Sequence, residues 1–269
     1  MAMAFLWPGG KNKALAMSYD DGCRQDKQLV EVLNRYGIKG TFHLNSGVME
    51  NTSYRLSKEE ALQIYEGHEI ACHTLTHPYL ERIAYSEVMR EIWCDRANLE
   101  AFTGRQIRGM SYPMRNHPAE TEEMCRAAGI IYARTAESTG KFNLPGDFIR
   151  WEPTCHQSEM LEYLPTFLKL DKWRKLSLFM VWGHGFEFER ENSGVSWEML
   201  EEFCSQVSQD NDVWFAGCTE ICRYVNAVRH AEVSCDGNMV YNPSAETLYW
   251  ETDDGVRCLL LPGECKNIR

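Results

Sequence analysis

The sequence predicts an α/β protein in which seven parallel strands form a distorted (β/α) barrel, followed by a small C-terminal antiparallel β appendage. Strand-like and helix-like patterns alternate along most of the chain, which is typical of parallel sheets. Acidic and imidazole side chains lie where several of these strands end. The alternation stops near residue 228, so a barrel is expected over residues 1–228 and a β extension over residues 229–269.

The predicted strands are short apolar runs, and the run Leu176–Trp182 is the strongest of them. Consecutive strands are separated by helical patterns or longer connections, so we expect them to pair in parallel and to curl into a barrel. The seven predicted strands span residues 14–19, 38–44, 68–72, 107–110, 130–133, 176–182 and 213–216.

The helices between these strands have recognisable ends. An apolar face that includes Leu29 and Leu33 stops at Gly37, and Ser57 with Glu60 forms a capping box. Residues 134–175 show no regular pattern and are predicted to be irregular. Further helices are predicted over about residues 86–102, 120–128, 197–209 and 219–229.

The last 41 residues carry short strand patterns joined by turn signals such as Asp236-Gly237-Asn238 and Asp253-Asp254-Gly255. A segment of this length cannot hold a stable core alone. We therefore expect it to pack on the barrel or on a second subunit, which leaves a homo-oligomer open.

The composition excludes several classes of protein. The 269-residue chain has a formal net charge of -11 and a pI near 5.3, and no run of basic residues offsets the acid. Nucleic acid and membrane are therefore not expected as partners. No apolar stretch approaches about 18 residues, and the N-terminus lacks a charged signal region, so a cytoplasmic location is expected. Eleven cysteines without a Cys-x-x-Cys pair predict reduced, mostly buried thiols.

Two histidines and two carboxylates predict a metal site. Asp20 and Asp21 end a buried strand, where unpaired carboxylates are costly unless a cation or a reaction uses them. His73 and His77 are four residues apart after another strand, a spacing that brings two imidazoles to one point. The histidine pair alone is more often a chance spacing or a solvated helix face. Together, the four residues provide three metal ligands and one base.

The positions of the polar residues favour catalysis. All of them fall at or just past the C-terminal end of a predicted strand, which is where (β/α) barrels build their active sites. A purely structural role would scatter them over both ends of the barrel. They are Asp20, Asp21, His73, His77, Tyr112 and His184.

Four sequence motifs resemble those of a known family. Ser18-Tyr19-Asp20-Asp21-Gly22 resembles the Thr-Phe-Asp-Asp-Gly motif of polysaccharide deacetylases with NodB homology, carbohydrate esterase family 4. The segment from His73 to Pro78 matches their His-Ser/Thr-x-x-His motif, and Trp182-Gly183-His184 is similar to their closing Leu-x-His motif. Lys39-Gly40-Thr41-Phe42 is similar to the strand between the first two motifs, and the resemblance covers roughly residues 10–228.

The resemblance implies a barrel with fewer than eight strands and a set of residue roles. Asp21, His73 and His77 would bind a divalent metal, usually zinc, whose bound water is the nucleophile. Asp20 would be the general base and His184 the general acid that protonates the leaving amine. The metal and the backbone N–H of Met114 would stabilise the charge on the acetyl oxygen.

Ser111-Tyr112-Pro113-Met114-Arg115 stands where the family's third motif, Arg-x-Pro-Tyr-Gly, is expected. It departs from that motif because Ser111 takes the place of the arginine that is expected to pair with the base. Serine cannot supply a positive charge to hold Asp20 ionised. We expect Arg115 to reach into the site and to pair with Asp20 or to contact an acidic group of the substrate. The alternative is that nothing replaces the lost charge.

The remaining candidates are expected to line the substrate pocket or to lie outside it. Tyr112, Trp151, Trp182 and His156 are predicted to line the pocket. The tryptophans are assigned there because aromatic faces stack on sugar rings, although a core position is the simpler account of a tryptophan, and a loop position is equally open for His156. Glycines on both sides of His184 are expected to leave space for a substrate, and the alternative is a core histidine bonded to a backbone carbonyl. Four residues are predicted to have no direct role in the site. Glu187 is assigned to a solvated loop, His43 to a supporting position beside the site, and Asp26 and Glu50 to the protein surface.

These observations predict a metal-dependent hydrolase that removes N-acetyl, or less commonly O-acetyl, groups from an acetylated carbohydrate. Two other classes stay open. One is a hydrolase that cleaves non-peptide C–N bonds in a small amide on the same barrel. The other is a non-catalytic carbohydrate-binding relative that kept the metal ligands.

Overall fold

The computed structural model describes residues 4–50, 53–114, 118–170 and 176–268. After a short first strand, β1 (Ala4–Leu6), the chain alternates between parallel strands and helices. The parallel strands are β2 (Lys13–Asp20), β3 (Gly40–Leu44), β4 (Glu69–Cys72), β5 (Gly109–Ser111), β6 (Tyr132–Arg134), β7 (Cys155–His156), β8 (Ser177–His184) and β9 (Val213–Phe215).

These strands form one curled sheet in the order β6-β5-β4-β3-β2-β8-β7, with β9 paired to the start of β2. The edges approach each other through residues 151–156. The Trp151 N–H donates to the Ala133 carbonyl of β6 at 3.0 Å, and the Thr154 N–H donates to the Met180 carbonyl of β8 at 2.9 Å. The predicted distorted barrel is confirmed, and the additional strand β7 comes from the stretch that was predicted to be irregular.

Helices cover the outside of the sheet, and the capping box at Ser57 and Glu60 is present. Within residues 134–175 the structure contains a helix that the sequence analysis missed, because Pro165 in its interior contradicts a helical pattern. The helices are α1 (Asp26–Arg35), α2 (Lys58–Ile64), α3 (Tyr85–Thr103), α4 (Ala119–Ala127), α5 (Met160–Leu168), α6 (Trp197–Val207) and α7 (Cys218–Arg229). None of the helices in the described part of the chain is long and apolar enough to span a membrane.

Strand β2 lies at the centre of the sheet, and all eight of its residues are buried. Its side chains alternate between two cores, as strand geometry requires. Leu15, Met17 and Tyr19 join the cluster under the helices, whereas Ala14 and Ala16 join a second cluster. Because Ser18 and Asp20 continue the alternation of the alanines, they lie on the same face of β2 as Ala14 and Ala16.

The C-terminal residues form two small antiparallel sheets. They contain β10 (Glu232–Val233), β11 (Met239–Tyr241), β12 (Leu248–Glu251), β13 (Arg257–Leu260) and β14 (Cys265–Asn267). One sheet has the order β10-β11-β14 and the other has the order β1-β12-β13. Strand β1 pairs with β12 in the register Phe5↔Trp250, so the first residues of the chain complete a sheet of the extension.

The extension packs on the barrel through a shared core. Trp250 and Leu260 are buried in the same apolar cluster as Trp7 and Tyr224. The Tyr224 hydroxyl also accepts a hydrogen bond from the Tyr249 N–H at 3.1 Å, which ties α7 to β12. Burial of this apolar surface stabilises both parts together.

We expect Leu260→Ala to lower the free energy of unfolding by about 2–5 kcal/mol, because it removes a fully buried side chain from the shared core. Its neighbour Leu261 is 51% exposed, so Leu261→Ala should change that free energy by less than about 0.5 kcal/mol. Urea unfolding followed by circular dichroism measures both. Equal, small effects would show that the extension does not share the core of the barrel.

Candidate active site

The three predicted metal ligands come together. One ligand atom each from Asp21, His73 and His77 lies within 4.8 Å of the other two. The imidazole rings of the histidines are 4.8 Å apart between centroids and nearly edge-on. Two imidazoles and one carboxylate suit zinc and leave a coordination position open for a ligand, so the residues present fit a divalent cation.

The backbone around these ligands is held in an uncommon conformation. Asp21 and His77 have φ angles of 79° and 62°, and Thr74 and Met114 also have positive φ. A positive φ is sterically costly for a residue with a side chain, so the surrounding contacts must maintain it. The concentration of such residues here is typical of a functional site.

Hydrogen bonds orient His73. Its Nδ1 lies 2.9 Å from the Ser111 carbonyl and 2.7 Å from the Ser111 hydroxyl. This engagement leaves Nε2 for a metal, the usual arrangement for a ligating histidine. Ser111, which departs from the family motif, therefore supports a ligand.

Two buried carboxylates of α3 hold the loop between the histidines. Asp95 accepts hydrogen bonds from the His73 N–H at 3.0 Å and the Ser46 N–H at 2.8 Å. Glu91 accepts from the Thr76 N–H at 2.7 Å and the Thr76 hydroxyl at 2.8 Å. Because Asp95 and Glu91 are one helical turn apart, a single rigid helix positions both ends of the loop. No sequence motif indicated this arrangement.

Asp21 has its own partner, Arg55. The Arg55 guanidinium lies 3.1 Å from Asp21 Oδ1 and donates to Asn45 Oδ1 at 2.8 Å. Asn45 in turn donates to the Thr74 carbonyl at 3.0 Å. Arg55 thus links the carboxylate ligand to the loop that carries the histidines.

Arg134 supplies a positive charge beside Asp20, so the alternative that nothing replaces the lost charge is wrong. Its Nη2 bonds Asp20 Oδ2, and the Ser111 hydroxyl donates to Oδ1 at 2.9 Å. Burial alone would raise the pKa of the Asp20 carboxyl, but the charge of Arg134, followed by those of His73 and His43, holds it well below its usual range. The prediction for Arg115 falls outside the described residues. Arg134 directly follows the predicted strand 130–133, so the strand-end rule could have found it.

His43 lies next to this ion pair. It is fully buried, and its Nδ1 lies 3.4 Å from Asp20 Oδ1. Burial lowers the pKa of His43 to about 3, despite the opposing effect of Asp20. The supporting position that was predicted for this residue agrees with its place next to the base.

His184 belongs to a second group of side chains. Its Nδ1 lies 3.1 Å from Glu187 Oε1, and His156 Nε2 lies 2.9 Å from Glu187 Oε2. Burial lowers the pKa of His184, but the hydrogen bond with Glu187 and the charges of Asp20 and Glu187 outweigh it, so the pKa lies above its ordinary value. The solvated loop predicted for Glu187 is therefore wrong, because a short helical turn at residues 185–189 directs this carboxylate inward.

The glycines beside His184 serve packing and not substrate space. A Cβ at Gly183 would lie 2.3 Å from the Gln157 side chain, and a Cβ at Gly185 would lie 2.1 Å from Asp26 Oδ1.

Asp26 is itself fully buried and accepts a hydrogen bond from the Tyr65 hydroxyl at 2.6 Å. The surface position predicted for Asp26 is wrong, and burial raises the pKa of its carboxyl to about 7. Glu50 is exposed, as expected.

These groups surround a pocket of about 1000 Å³. Tyr112, Met114, His156 and Trp182 line it, together with both aspartates and the three site histidines. Trp151 does not, because it is 1% exposed and packs against Tyr132 and Phe148 in the second core. The prediction of Trp151 as a pocket wall is therefore wrong: its backbone pairs with β6, which directs the indole into the core.

A family model described as polysaccharide deacetylase matches residues 8–133, which include the Asp20, Asp21, His73 and His77 positions. The matched segment spans a little under half of this chain, and over that segment the chain is similar to polysaccharide deacetylases. The sheet topology and the clustered motif residues agree with this similarity. Residues beyond 133, including His184, lie outside the matched segment.

Two curated relatives match part of this chain. A peptidoglycan-N-acetylglucosamine deacetylase from Listeria monocytogenes serotype 1/2a is 33% identical over 84 residues, or 30% of this chain and 17% of that protein. A bifunctional xylanase/deacetylase from Pseudobutyrivibrio xylanivorans is 30% identical over 82 residues, or 30% of this chain and 13% of that protein. The matched segments therefore span less than a fifth of either relative.

Among solved structures, a crystal structure titled as a putative polysaccharide deacetylase from Mycobacterium smegmatis superposes with a TM-score of 0.63. The two chains are 19% identical, and the match covers 84% of this chain and 94% of the other. At this identity the similarity shows the fold, and it extends over most of the barrel.

We expect Asp95→Ala to weaken zinc binding at the candidate site of Asp21, His73 and His77 by about 10- to 100-fold, because the His73 N–H loses its acceptor and the loop between the histidines loses its support. Competition with a chromophoric chelator measures the affinity. Glu87→Ala removes an exposed carboxylate of the same helix and should leave zinc affinity unchanged. Unchanged affinity in a folded Asp95→Ala variant would contradict a positioning role.

Proposed function

We propose that this chain is a divalent-metal-dependent deacetylase that hydrolyses the N-acetyl group of an acetylated carbohydrate. The observation that carries the proposal is the placement of an ionised base, Asp20, 3.9 Å from His73 Nε2 in the cluster that fits a cation. The names of the curated relatives, a peptidoglycan-N-acetylglucosamine deacetylase and a xylanase/deacetylase, support an acetylated sugar as the substrate.

Asp20 is suited to accept a proton from the attacking water. Its low pKa keeps it ionised near neutral pH, and its partners Arg134 and Ser111 hold the carboxylate in place. A divalent cation held by Asp21, His73 and His77 would supply Lewis acidity, which activates a water molecule and polarises the acetyl oxygen. Zinc is our proposal for this cation, because the ligand set contains two imidazoles.

The opposite side of the pocket is suited to complete the reaction. The C–N bond breaks only if the leaving nitrogen gains a proton, and His184 can deliver it because Glu187 favours the imidazolium form. The Met114 N–H is the proposed donor to the oxygen that becomes negatively charged. Trp182 offers an aromatic face to a sugar ring.

The experiment that tests this proposal is release of acetate from N-acetylglucosamine oligomers, compared with O-acetylated xylan fragments and small amides such as acetamide and formamide. We expect the sugar oligomers to be hydrolysed best. Removal of metal with a chelator should abolish turnover, and zinc should restore it. If only the small amides are hydrolysed, the protein is a small-amide hydrolase and the carbohydrate assignment is wrong. Metal binding without any turnover would indicate a non-catalytic binding protein.

Asp20→Asn should lower turnover by about 10²- to 10⁴-fold while zinc still binds, because the amide cannot accept the proton. Zinc content and acetate release measure the two effects separately. Glu50→Gln makes the same chemical change at an exposed position and should leave both unchanged. Loss of zinc together with turnover would show that Asp20 is a ligand and not the base.

Arg134→Gln should move the acidic limb of the activity profile to higher pH. Asp20 works only when ionised. Loss of the adjacent positive charge raises the pKa of its carboxyl, so a higher pH is needed to ionise it. The pH dependence of kcat/KM measures the shift. Arg134→Lys should restore part of it, since it retains the charge. A limb that stays in place in Arg134→Gln would contradict the role of this ion pair.

A further inference from the structure

A second group of potential metal ligands lies in the same pocket. One ligand atom each from His156, His184 and Glu187 lies within 4.8 Å of the others. None of these residues belongs to the Asp21, His73 and His77 cluster. In a tetrahedral zinc site, ligand atoms are about 3.4 Å apart, so small side-chain rotations would bring these three into range.

Neighbouring residues already orient this group. Ser158 Oγ lies 2.9 Å from His156 Nδ1, which directs Nε2 of the same ring toward Glu187. The Gln157 amide donates to Glu187 Oε2 at 2.6 Å and to the His184 carbonyl at 2.9 Å. Outer partners of this kind fix the rotamers of metal ligands.

The charge of the pocket favours a cation. Six carboxylates and one arginine line it among the described residues. A pocket wall of one predominant sign concentrates ions of the opposite sign. The carboxylates are those of Asp20, Asp21, Glu81, Glu137, Glu159 and Glu187, and the arginine is Arg134.

We propose that His156, His184 and Glu187 form a second zinc site, and that zinc bound there inhibits the enzyme. Coordination uses His184 Nδ1, the nitrogen that faces Glu187, and any proton on that nitrogen is released to solvent. A neutral, metal-bound imidazole is a much weaker acid than imidazolium, so His184 no longer protonates the leaving nitrogen. Inhibition rests on the proposed function, whereas the site itself does not.

The first measurement is zinc stoichiometry, by equilibrium dialysis of the full chain against zinc. The wild-type protein should bind two zinc ions with different affinities. His156→Ala should retain the tighter ion and weaken the second by at least about 10-fold. His230→Ala removes an exposed histidine on the barrel exterior and should retain both ions. Asp21→Asn should instead weaken the site made by Asp21, His73 and His77 and leave the second ion bound.

A milder variant protects the test against misfolding. Ser158→Ala removes only the outer partner of His156 and should raise the dissociation constant of the second zinc by about 10-fold. A stoichiometry of one in the wild-type protein, or a second ion that persists unchanged in both His156→Ala and Ser158→Ala, would overturn the proposal.

The second measurement is acetate release across a zinc titration. Wild-type activity should fall as zinc rises beyond one equivalent, and the midpoint of inhibition should shift at least about 10-fold upward in Ser158→Ala. If two ions bind without inhibition, the inhibitory role is wrong, but the second zinc site still stands. If the protein has no deacetylase activity, the proposed function is wrong, but the zinc stoichiometry still tests the second site.

Discussion

The site depends on the buried ion pair between Arg134 and Asp20. Both side chains are almost completely buried, and each would be costly to desolvate alone. Arg134 also donates to Ser18 Oγ at 3.1 Å and to the Thr135 carbonyl at 2.9 Å. Strands β6 and β2, which carry the two residues, are separated by three strands in the sheet. The pair therefore forms only when the sheet curls, so closure of the barrel and ionisation of Asp20 are linked.

The pairing of β2 with β8 divides the site into two sides. The register places Asp20 beside His184, so the base and the proposed acid extend from neighbouring strands. Each has a different partner: Arg134 lowers the pKa of Asp20, whereas Glu187 raises that of His184. Opposite shifts of two titratable groups across one pocket can provide a base and an acid at the same pH. The proposed catalytic roles rest on this asymmetry.

Support for the candidate metal ligands comes from outside the sequence motifs. Among the five non-glycine residues with positive φ in the described chain, four are Asp21, Thr74, His77 and Met114. The loops that carry Asp21, Thr74 and His77 are fixed by hydrogen bonds that the α3 carboxylates accept and by those of the Arg55–Asn45 pair. Local strain and buried polar contacts thus balance each other at the end of the barrel that holds the candidate site.

Local sequence patterns were sufficient for the fold class, for most strands and for the ligand motif. Apolar runs and capping residues act over a few positions, and the spacing of His73 and His77 is itself a local property. For the same reason, the pattern failed at residues 134–175, where Pro165 lies inside α5 and β7 has only two residues.

Contacts between distant segments were decided only by the tertiary structure. Arg134 replaces the missing motif arginine from another strand, Glu187 turns inward to join two histidines, and Trp151 turns away into the core. The first strand pairs with β12 across almost the whole chain. Such choices depend on which side chains can be desolvated together, and that free energy exists only once the barrel has closed.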